Sequence, residues 1–537
     1  MSPGSRDIRT SRVKPRSDAL TGSRGLARSI LSNWGAFVFA AVVNLFLSPY
    51  VVRSLGDTAY GAWVLLGSMV GYLGLLDLGV RISVTRYIAR FRASAEHQSA
   101  TRVYSSALVI FSIAGVLAIL LSGVLALLLG SVLKIPPEFV AVGRIVALLG
   151  GLNVAVSLVS GVVGGVLIGL ERFDYSNAVE IAVSALRAVA VVLALHFGYG
   201  LITLALVQLA ANVIRGGTSL YLSRRLYPEL GRALWRWDPE YLRLVFAFGL
   251  TASFVHVTEA IMFYSDSLVI GAILPIGMVT YFAIAGNLSD YARSFVSGIS
   301  RTLTPNISAL EARGKHEALR DTLLAGARLS TLAILPIVAT FMIRGSSFIG
   351  LWMGPSYRDL SGSVLWVLSL TLWTIGGYQV VSASMVGLNR HGGLIPVFLG
   401  EALTNLVLSV IWVRQYGVIG TAIGTAVPRV IVSLLVGPWY VRRTTGIPLR
   451  KFWLLVFGQP TLAMIPFAAV TYATERYWPA ARIVTYFAQV ALALPVAVLG
   501  TWYLCFSRDE RSSWSALLGG AFRRAMHRAS HRASHRE

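Results

Sequence analysis

The chain has 537 residues, of which 55% are hydrophobic and only 13% are charged. Soluble domains carry about 25% charged residues, so this chain lacks the polar surface that a soluble globular protein needs. The composition therefore excludes a soluble enzyme and predicts an all-α integral membrane protein. The net charge of +23 does not indicate nucleic-acid binding, because the basic residues lie in two tails and in alternate loops.

Apolar runs of about 20 residues, the length that crosses a bilayer as a helix, recur along the whole chain. The first run follows a basic leader, is longer than a signal-peptide core and shows no clear cleavage site, so we expect an uncleaved helix. We predict about fourteen transmembrane spans. They are 30–52, 58–80, 103–129, 145–170, 178–199, 201–221, 244–272, 277–300, 329–344, 362–387, 393–413, 418–441, 452–474 and 483–506.

The loops between these spans alternate in charge. One set holds 21 Arg and Lys residues, the opposite set holds eight, and both tails fall on the richer side. Because basic loops stay in the cytoplasm, we expect both termini to be cytoplasmic. The loops are short, the longest outer one running roughly from Gly345 to Ser361. No Lys is followed by Ser or Thr, so we expect no phosphate-binding Walker A loop and no ATPase in this chain.

An internal repeat relates the first six spans to the next six. Gly169-Leu-Glu-Arg172 precedes span five, and the similar Gly387-Leu-Asn-Arg390 precedes span eleven. The pairs Tyr199/Tyr416 and Tyr60/Tyr281 are separated by nearly the same distance along the chain. Three matches in order at nearly one offset indicate a duplication, and six spans per copy give a parallel repeat, as in transporters that enclose a central cavity.

The duplication predicts a division of the chain into lobes and tails. The parts are a basic tail (1–29), an N-lobe of spans 1–6 (30–222), a cytoplasmic linker (223–243), a C-lobe of spans 7–12 (244–441), spans 13 and 14 (452–506) and a second basic tail (507–537).

Basic side chains inside spans are the first candidates for a binding site, because an ionisable group there costs about 2.5–3.5 kcal/mol on insertion scales. Arg187 lies near the middle of span five, and Arg429 lies beside Pro428 in span twelve. Each has two interpretations, an anion-binding cavity residue or a member of an ion pair. For Arg187 the pairing candidate is Glu180, seven residues earlier on the same helical face.

Four further polar residues complete the candidate binding set. Arg215 and Arg293 lie about two turns from predicted cytoplasmic ends, where their side chains would either face the cavity or snorkel to headgroups. Asn33 and Asn44 share one face of span one and would either line the cavity or, as we favour, make interhelical hydrogen bonds.

Carboxylates inside spans are candidates for ion coupling, since a buried acid can exchange protons near neutrality. The alternative for each is a neutral, hydrogen-bonded structural acid. The candidates are Glu180, Glu259, Asp266, Asp290 and Glu401. No cofactor or metal site is expected, because the chain has a single cysteine, Cys505, and no Cys/His spacing typical of a metal site.

Several motifs along residues 30–445 resemble bacterial oligosaccharide flippases. They are Ser54-Leu-Gly-Asp-Thr-Ala-Tyr-Gly-Ala-Trp63, Leu76-Asp-Leu-Gly79 with Arg86, Gly169-Leu-Glu-Arg-Phe-Asp174 with Arg187, Asp266-Ser-Leu-Val-Ile-Gly271, Leu351-Trp-Met-Gly354, and Gly387-Leu-Asn-Arg390 with Glu401 and Asn405. The family is the polysaccharide-export branch of the superfamily that includes multidrug and toxic-compound extruders. Beyond residue 445 the match fades, so it assigns no role to spans 13 and 14.

The resemblance implies two six-helix lobes, often with two extra helices, around a V-shaped cavity. It implies that a polyprenyl-pyrophosphate-linked glycan moves from the cytoplasmic to the outer leaflet of the bacterial inner membrane, by alternating access driven by the membrane potential, an ion gradient or both. Cavity arginines would meet the pyrophosphate, and Arg187 best matches a family arginine. Polymerases and glycosyltransferases of the same pathway are the implied protein partners.

Three other functions compete with this one. A cation or drug antiporter of the same superfamily would favour acids and aromatics without central arginines, so Arg187 and Arg429 argue against it. A peptidoglycan-precursor flippase shares the same physics and stays open. A membrane glycan polymerase or ligase would need a sizeable outer loop with catalytic residues, and the predicted loops are too short.

Overall fold

The computed structural model describes residues 23–132, 136–230, 237–388, 390–508 and 510–512. Every regular element within these ranges is helical, which confirms the predicted all-α class. Most of the two predicted tails and part of the predicted linker, at 1–22, 513–537 and 231–236, lie outside the described residues. The helices are α1 (Ser23–Leu73), α2 (Val80–Ala93), α3 (His97–Val132), α4 (Pro137–Gly169), α5 (Phe173–His196), α6 (Leu201–Leu226), α7 (Pro239–Ile273), α8 (Gly277–Ala312), α9 (His316–Trp352), α10 (Arg358–Gly387), α11 (Ile395–Ile431), α12 (Gly437–Thr445), α13 (Leu449–Trp453), α14 (Gln459–Tyr477) and α15 (Ile483–Gly500).

Ten helical stretches among the described residues are long and apolar enough to cross a membrane. Two of them contain two predicted spans each, because α1 and α11 bend at Gly56 and Gly417, whose φ angles are 76° and 60°. Glycine adopts this left-handed conformation without the steric cost of a Cβ atom. Helices α7 and α8, of 35 and 36 residues, are long but carry several charges. The architecture is compatible with fourteen spans, and the number itself stays a prediction.

The structure differs from the prediction around span nine, which was expected at 329–344. Helix α9 instead runs from His316 to Trp352, and the expected outer loop shrinks to a turn and a short 3-10 helix at Pro355–Tyr357. The prediction placed Arg344 at the outer end of span nine, beside the expected loop, but its side chain is only 1% exposed. Its guanidinium lies 2.7 Å from Glu475, a partner on α14 that a local hydropathy pattern does not reveal.

Corresponding glycine contacts occur in the two predicted halves. A Cβ atom added at Gly169 would lie 2.8 Å from the carbonyl oxygen of Thr85, and one added at Gly387 would lie 3.0 Å from that of Thr304. The hydroxyls of the same threonines donate to backbone carbonyls one turn before each glycine, at 3.3 and 3.4 Å. Both glycines therefore serve the same close helix approach in their respective halves.

The two halves meet at the predicted outer end of the molecule. The carboxylate of Asp57, next to the bend in α1, accepts hydrogen bonds from the hydroxyls of Tyr281, at 3.2 Å, and Tyr357. Arg53 donates to the carbonyl oxygen of Trp352 at 3.3 Å. Two predicted outer loops and the outer end of predicted span eight, all distant in sequence, thus contact one another.

A second contact joins the halves near the start of α7, away from the predicted outer end of the molecule. The hydroxyl of Ser83 on α2 donates to the carbonyl oxygen of Val245 at 2.9 Å. Close by, a Cβ atom on Gly79 would lie 2.4 Å from the carbonyl oxygen of Gly249. Along α7 and α8, the charged residues of the candidate site lie between these two contact regions.

Candidate substrate cavity and its charged side chains

Three adjoining cavities of about 160, 240 and 520 Å³ lie among α1, α7, α8, α10 and α11. Arg293 lines all three of them, and Arg429 lines the two smaller ones. Asp290 pairs with Arg293 at 2.8 Å, one turn earlier on α8. The guanidinium of Arg293 also lies 5.6 Å from the centre of the Phe263 ring. Arg293 therefore lies at the junction of the cavities with its charge balanced in part by Asp290.

Arg429 and Glu401 form a buried ion pair on the wall of the middle-sized cavity. Arg429 Nε lies 2.8 Å from Glu401 Oε1, and the two side chains are 16% and 1% exposed. The guanidinium also lies 5.0 Å from the centre of the Tyr378 ring. The sequence predicted these residues for separate roles, anion binding and ion coupling. Their pairing leaves Arg429 largely neutralised, and its Nη2 also donates to Met262 Sδ at 3.0 Å.

Asp266 lies in a buried cluster of oxygen atoms from α7 and both halves of α11. It is 3% exposed and accepts hydrogen bonds from Thr425 Oγ1 at 2.6 Å and Ser409 Oγ at 3.2 Å. Asn405 Nδ2 donates to the same Thr425 oxygen at 2.8 Å. Among the described residues, no basic side chain forms an ion pair with Asp266. A carboxylate flanked by two hydroxyl groups suits a proton or a small hard cation.

In the N-lobe, the structure does not contain the Glu180–Arg187 ion pair that was one of the two interpretations of the sequence. Glu180 lies 3.0 Å from Arg215 on the neighbouring helix α6, rather than beside Arg187. Seven residues along a helix span about 10 Å, which is too far for a direct pair. Arg187 instead donates to the amide oxygen of Gln208 at 3.1 Å. Within the described ranges, no carboxylate lies within ion-pair distance of Arg187.

The internal repeat links the Arg187 and Asp266 regions. At the offset that relates Gly169 to Gly387, Arg187 corresponds to Asn405, and Gln208 corresponds within one position to Thr425. Each pair is joined by a hydrogen bond. The same position of the fold therefore carries a cation in the N-lobe and adjoins a carboxylate in the C-lobe. The sequence prediction missed Gln208 and Thr425, although the repeat offset points to both.

The remaining predicted residues lie at the edges of this arrangement. Glu259 lines the two larger cavities. The side-chain oxygen of Asn33 accepts a hydrogen bond from Asn177 on α5 at 2.6 Å, an interhelical contact of the kind we favoured. Asn44 is half-buried on α1. No group of three His, Cys, Asp or Glu side chains suited to a metal ion occurs in the described part of the chain.

Comparisons with known proteins agree with the fold and the motifs. Residues 26–311, more than half of the chain, match the family model described as "Polysaccharide biosynthesis protein". The "Putative O-antigen transporter" of Shigella flexneri is 22% identical over 429 residues, which cover 78% of this chain and 99% of that protein.

Two solved transporters share the fold. An inward-facing multidrug resistance MATE transporter of the MOP superfamily matches with a TM-score of 0.67 at 19% identity, covering 77% of this chain and 96% of that one. The lipid II flippase MurJ in an inward closed conformation matches with a TM-score of 0.66 at 13% identity, covering 88% and 98%. The family match confirms the resemblance found in the motifs, and the matched proteins are transporters and flippases, not catalysts. The chain is a multi-pass membrane protein that belongs to the polysaccharide biosynthesis protein family.

Proposed function

We propose that the protein is a flippase that moves a polyprenyl-pyrophosphate-linked oligosaccharide from the cytoplasmic to the outer leaflet. The observation that carries this proposal is the set of three adjoining cavities, with Arg293 at their junction. A pyrophosphate needs charge-assisted donors, and the arginine fork can bind two oxygens at once. The family match and the O-antigen relative support a glycan as cargo.

The membrane potential would favour transport in this direction. A pyrophosphate diester carries about two negative charges, and each gains about 2.3 kcal/mol when it crosses 100 mV out of a negative interior. The headgroup would thus gain about 4–5 kcal/mol from the potential alone. Fixed arginines would lower the cost of removing the headgroup from water on the way.

Alternating access requires the contacts at the predicted outer end to open. The hydrogen bonds of Asp57 to Tyr281 and Tyr357 join the lobes there, so these bonds would break when the cargo leaves. The inward-facing MATE transporter matches with a higher TM-score than an outward-facing one, 0.67 against 0.59, which supports a state that receives cargo from the cytoplasmic side.

Removal of the protein from cells tests the proposed cargo. We expect a lipid-linked glycan to accumulate on the cytoplasmic leaflet and a surface polysaccharide to disappear, and the unaltered gene should restore both. The measurement is leaflet-resolved analysis of lipid-linked glycans together with surface staining. Unchanged surface glycan with altered resistance to cationic drugs would instead support an antiporter, and accumulated peptidoglycan precursor would support a lipid II flippase.

We further propose that Asp266 is the coupling acid, because Glu401 and Asp290 already pair with arginines. In vesicles that contain the purified protein, transport of labelled lipid-linked glycan should respond to an imposed Na⁺ or pH gradient. Asp266→Asn should abolish that response, and whichever gradient acts identifies the ion. Ser409→Ala, which removes one hydroxyl donor to the carboxylate, should weaken the response without abolishing it. A gradient response that survives Asp266→Asn would exclude this role.

A further inference from the structure

The cavity of 520 Å³ contains an aromatic surface that the proposed pyrophosphate contacts do not use. Phe263 and Tyr264 on α7 both line this cavity, and their rings meet edge to face with centres 5.0 Å apart. The Tyr72 ring on α1, which does not itself line the cavity, packs behind this surface with its centre 5.4 Å from that of Tyr264. We call these three residues the aromatic shelf.

The shelf joins the two lobes because Tyr264 packs directly on the backbone of α1. A Cβ atom added at Gly71 would lie 2.4 Å from the Tyr264 ring, so only glycine permits this approach. The Tyr264 ring is thereby held between Gly71 below and Phe263 at its edge. A rigid aromatic surface of this kind binds a ligand face with little loss of side-chain entropy.

The Phe263 side chain is 45% exposed and lines two of the three cavities. Neither of these cavities is a purely apolar groove. The neighbours of Phe263 there include Arg293, Glu259 and Gln379, all of them hydrogen-bonding side chains. An exposed aromatic ring among polar groups is typical of a site whose ligand has both an apolar face and hydroxyls. A pyranose ring has this combination, with C–H bonds on its face and hydroxyls around its edge.

The cargo's own chemistry places a sugar at this point. In a pyrophosphate-linked glycan the first sugar is bonded directly to the phosphate. The guanidinium of Arg293 lies 5.6 Å from the centre of the Phe263 ring, so a pyrophosphate held by Arg293 would place its sugar beside the shelf. A hydrocarbon chain suits a different cavity, the one of about 390 Å³ whose lining, including Val42, Leu288 and Phe487, is almost wholly apolar.

We infer that the aromatic shelf, with Glu259 and Gln379 at its rim, binds the first sugar of the lipid-linked glycan and selects among glycans. This inference rests on the proposed function. The ring faces bind the sugar's apolar face, and the carboxylate and amide bind its hydroxyls. Arg293 holds the pyrophosphate, which every such lipid shares, and the shelf distinguishes one glycan from another.

Binding measurements on the purified full-length protein test the inference. The probes are the lipid-linked glycan extracted from cells that lack the protein, and polyprenyl pyrophosphate without sugar. Phe263→Ala should weaken binding of the glycan-bearing lipid about tenfold, the size of effect that one aromatic contact gives. It should leave binding of the bare lipid unchanged, and Phe263→Tyr should retain both affinities.

The control variant is Phe246→Ala, which removes an exposed phenylalanine of the same helix, 40% exposed and outside the three cavities. It should change neither affinity. Equal loss for both lipids in Phe263→Ala, or no loss for either, overturns the sugar site. Competition by the free oligosaccharide in the unaltered protein gives a second readout, and its absence also counts against the site. If the unaltered protein binds neither lipid, the proposed function itself fails.

Discussion

Arg187 and Arg429 both lie deep in predicted spans, but their surroundings give them different roles. Arg429 lies 2.8 Å from the carboxylate of Glu401, so its charge is balanced inside the protein. Arg187 donates to the neutral amide of Gln208, and Glu180, the acid seven residues before it, pairs with Arg215. An arginine without a carboxylate partner is expensive in a membrane, and such residues mark substrate or ion pathways. Arg187 is therefore a stronger candidate than Arg429 for contact with an anionic headgroup.

We predict that Arg187→Ala reduces glycan export at least tenfold while the protein still inserts and folds. The charge-assisted hydrogen bonds to the pyrophosphate would be lost, and nothing else in the N-lobe depends on them. Arg187→Lys should retain partial export, because it keeps the charge but loses the two-pronged geometry. The measurement is surface polysaccharide at matched membrane abundance of each variant.

The neighbouring ion pair supplies the control for that prediction. Arg215→Ala alone leaves Glu180 without its partner and should lower protein abundance, and Arg215→Ala/Glu180→Ala should restore abundance because no unpaired charge remains. Arg187→Ala/Glu180→Ala should stay inactive. Full recovery of export in this last variant would mean that Arg187 only balances Glu180 and does not meet the headgroup.

Which charges pair was the part of the site that the sequence could not predict. The seven-residue spacing of Glu180 and Arg187 shows a shared helical face but says nothing about α6, where Arg215 lies closer. Likewise, Glu401 and Arg429 lie in opposite halves of α11 and meet only because this helix bends at Gly417. The candidate residues themselves were predictable, since hydropathy identifies every charge inside a span.

At the scale of elements, α9 explains how the last two predicted spans attach to the rest of the protein. Near one end of α9, the buried Arg344 lies 2.7 Å from Glu475 on α14 and donates to Gln489 on α15 at 2.6 Å. Several turns earlier on α9, Arg328 lies 2.7 Å from Glu510, just beyond α15. Breaking a buried charge pair such as Arg344–Glu475 costs about 3–5 kcal/mol, whereas Glu510 is 41% exposed and its pair with Arg328 contributes less. Spans 13 and 14 are thus held to the C-lobe through two polar contacts. Glu475 makes one near their predicted outer end, and Glu510 makes the other near their predicted cytoplasmic end.

Helix α9 also shows why the sequence predicts that a span exists more accurately than it predicts where the span begins and ends. Hydropathy finds a span because about 20 apolar residues must cross the bilayer. It placed the end of span nine at Arg344, since Arg344, Ser346 and Ser347 resemble a loop. These polar side chains are instead accommodated by tertiary partners, and Ser347 donates to Glu475. Helix ends inside a protein depend on such partners and are not encoded locally.

For the molecule as a whole, the predicted repeat relates a region with an arginine to a region beside a carboxylate. The pair Arg187–Gln208 in the N-lobe corresponds to the neutral pair Asn405–Thr425 in the C-lobe, where Thr425 donates to Asp266. Under the proposed function, a carrier that moves an anion and couples it to a cation needs one site of each kind, and these two regions would supply them.

The arrangement of the two ends of the molecule leads to a prediction about its orientation in the membrane. Two predicted outer loops meet the outer end of span eight at Asp57, Tyr357 and Tyr281. Two predicted cytoplasmic segments meet where Arg390 donates to the carbonyl oxygen of Thr444 at 2.7 Å. Predicted outer segments thus contact outer ones, and cytoplasmic segments contact cytoplasmic ones. With 21 basic residues on one set of loops and eight on the other, the richer set should face the cytoplasm.

Single cysteines in a variant that lacks Cys505, the one cysteine of the chain, test that orientation. We predict that Ser356→Cys, at the exposed turn before α10, reacts with a membrane-impermeant thiol reagent in intact cells. Arg442→Cys at the end of α12 and Arg508→Cys after α15 should react only once the membrane is permeabilised. Because these two sites bracket α14 and α15, their shared inaccessibility requires an even number of crossings between them. Reaction of either site from outside would overturn the orientation or the count of fourteen spans, and a silent Ser356→Cys would place the Asp57 contacts on the cytoplasmic side.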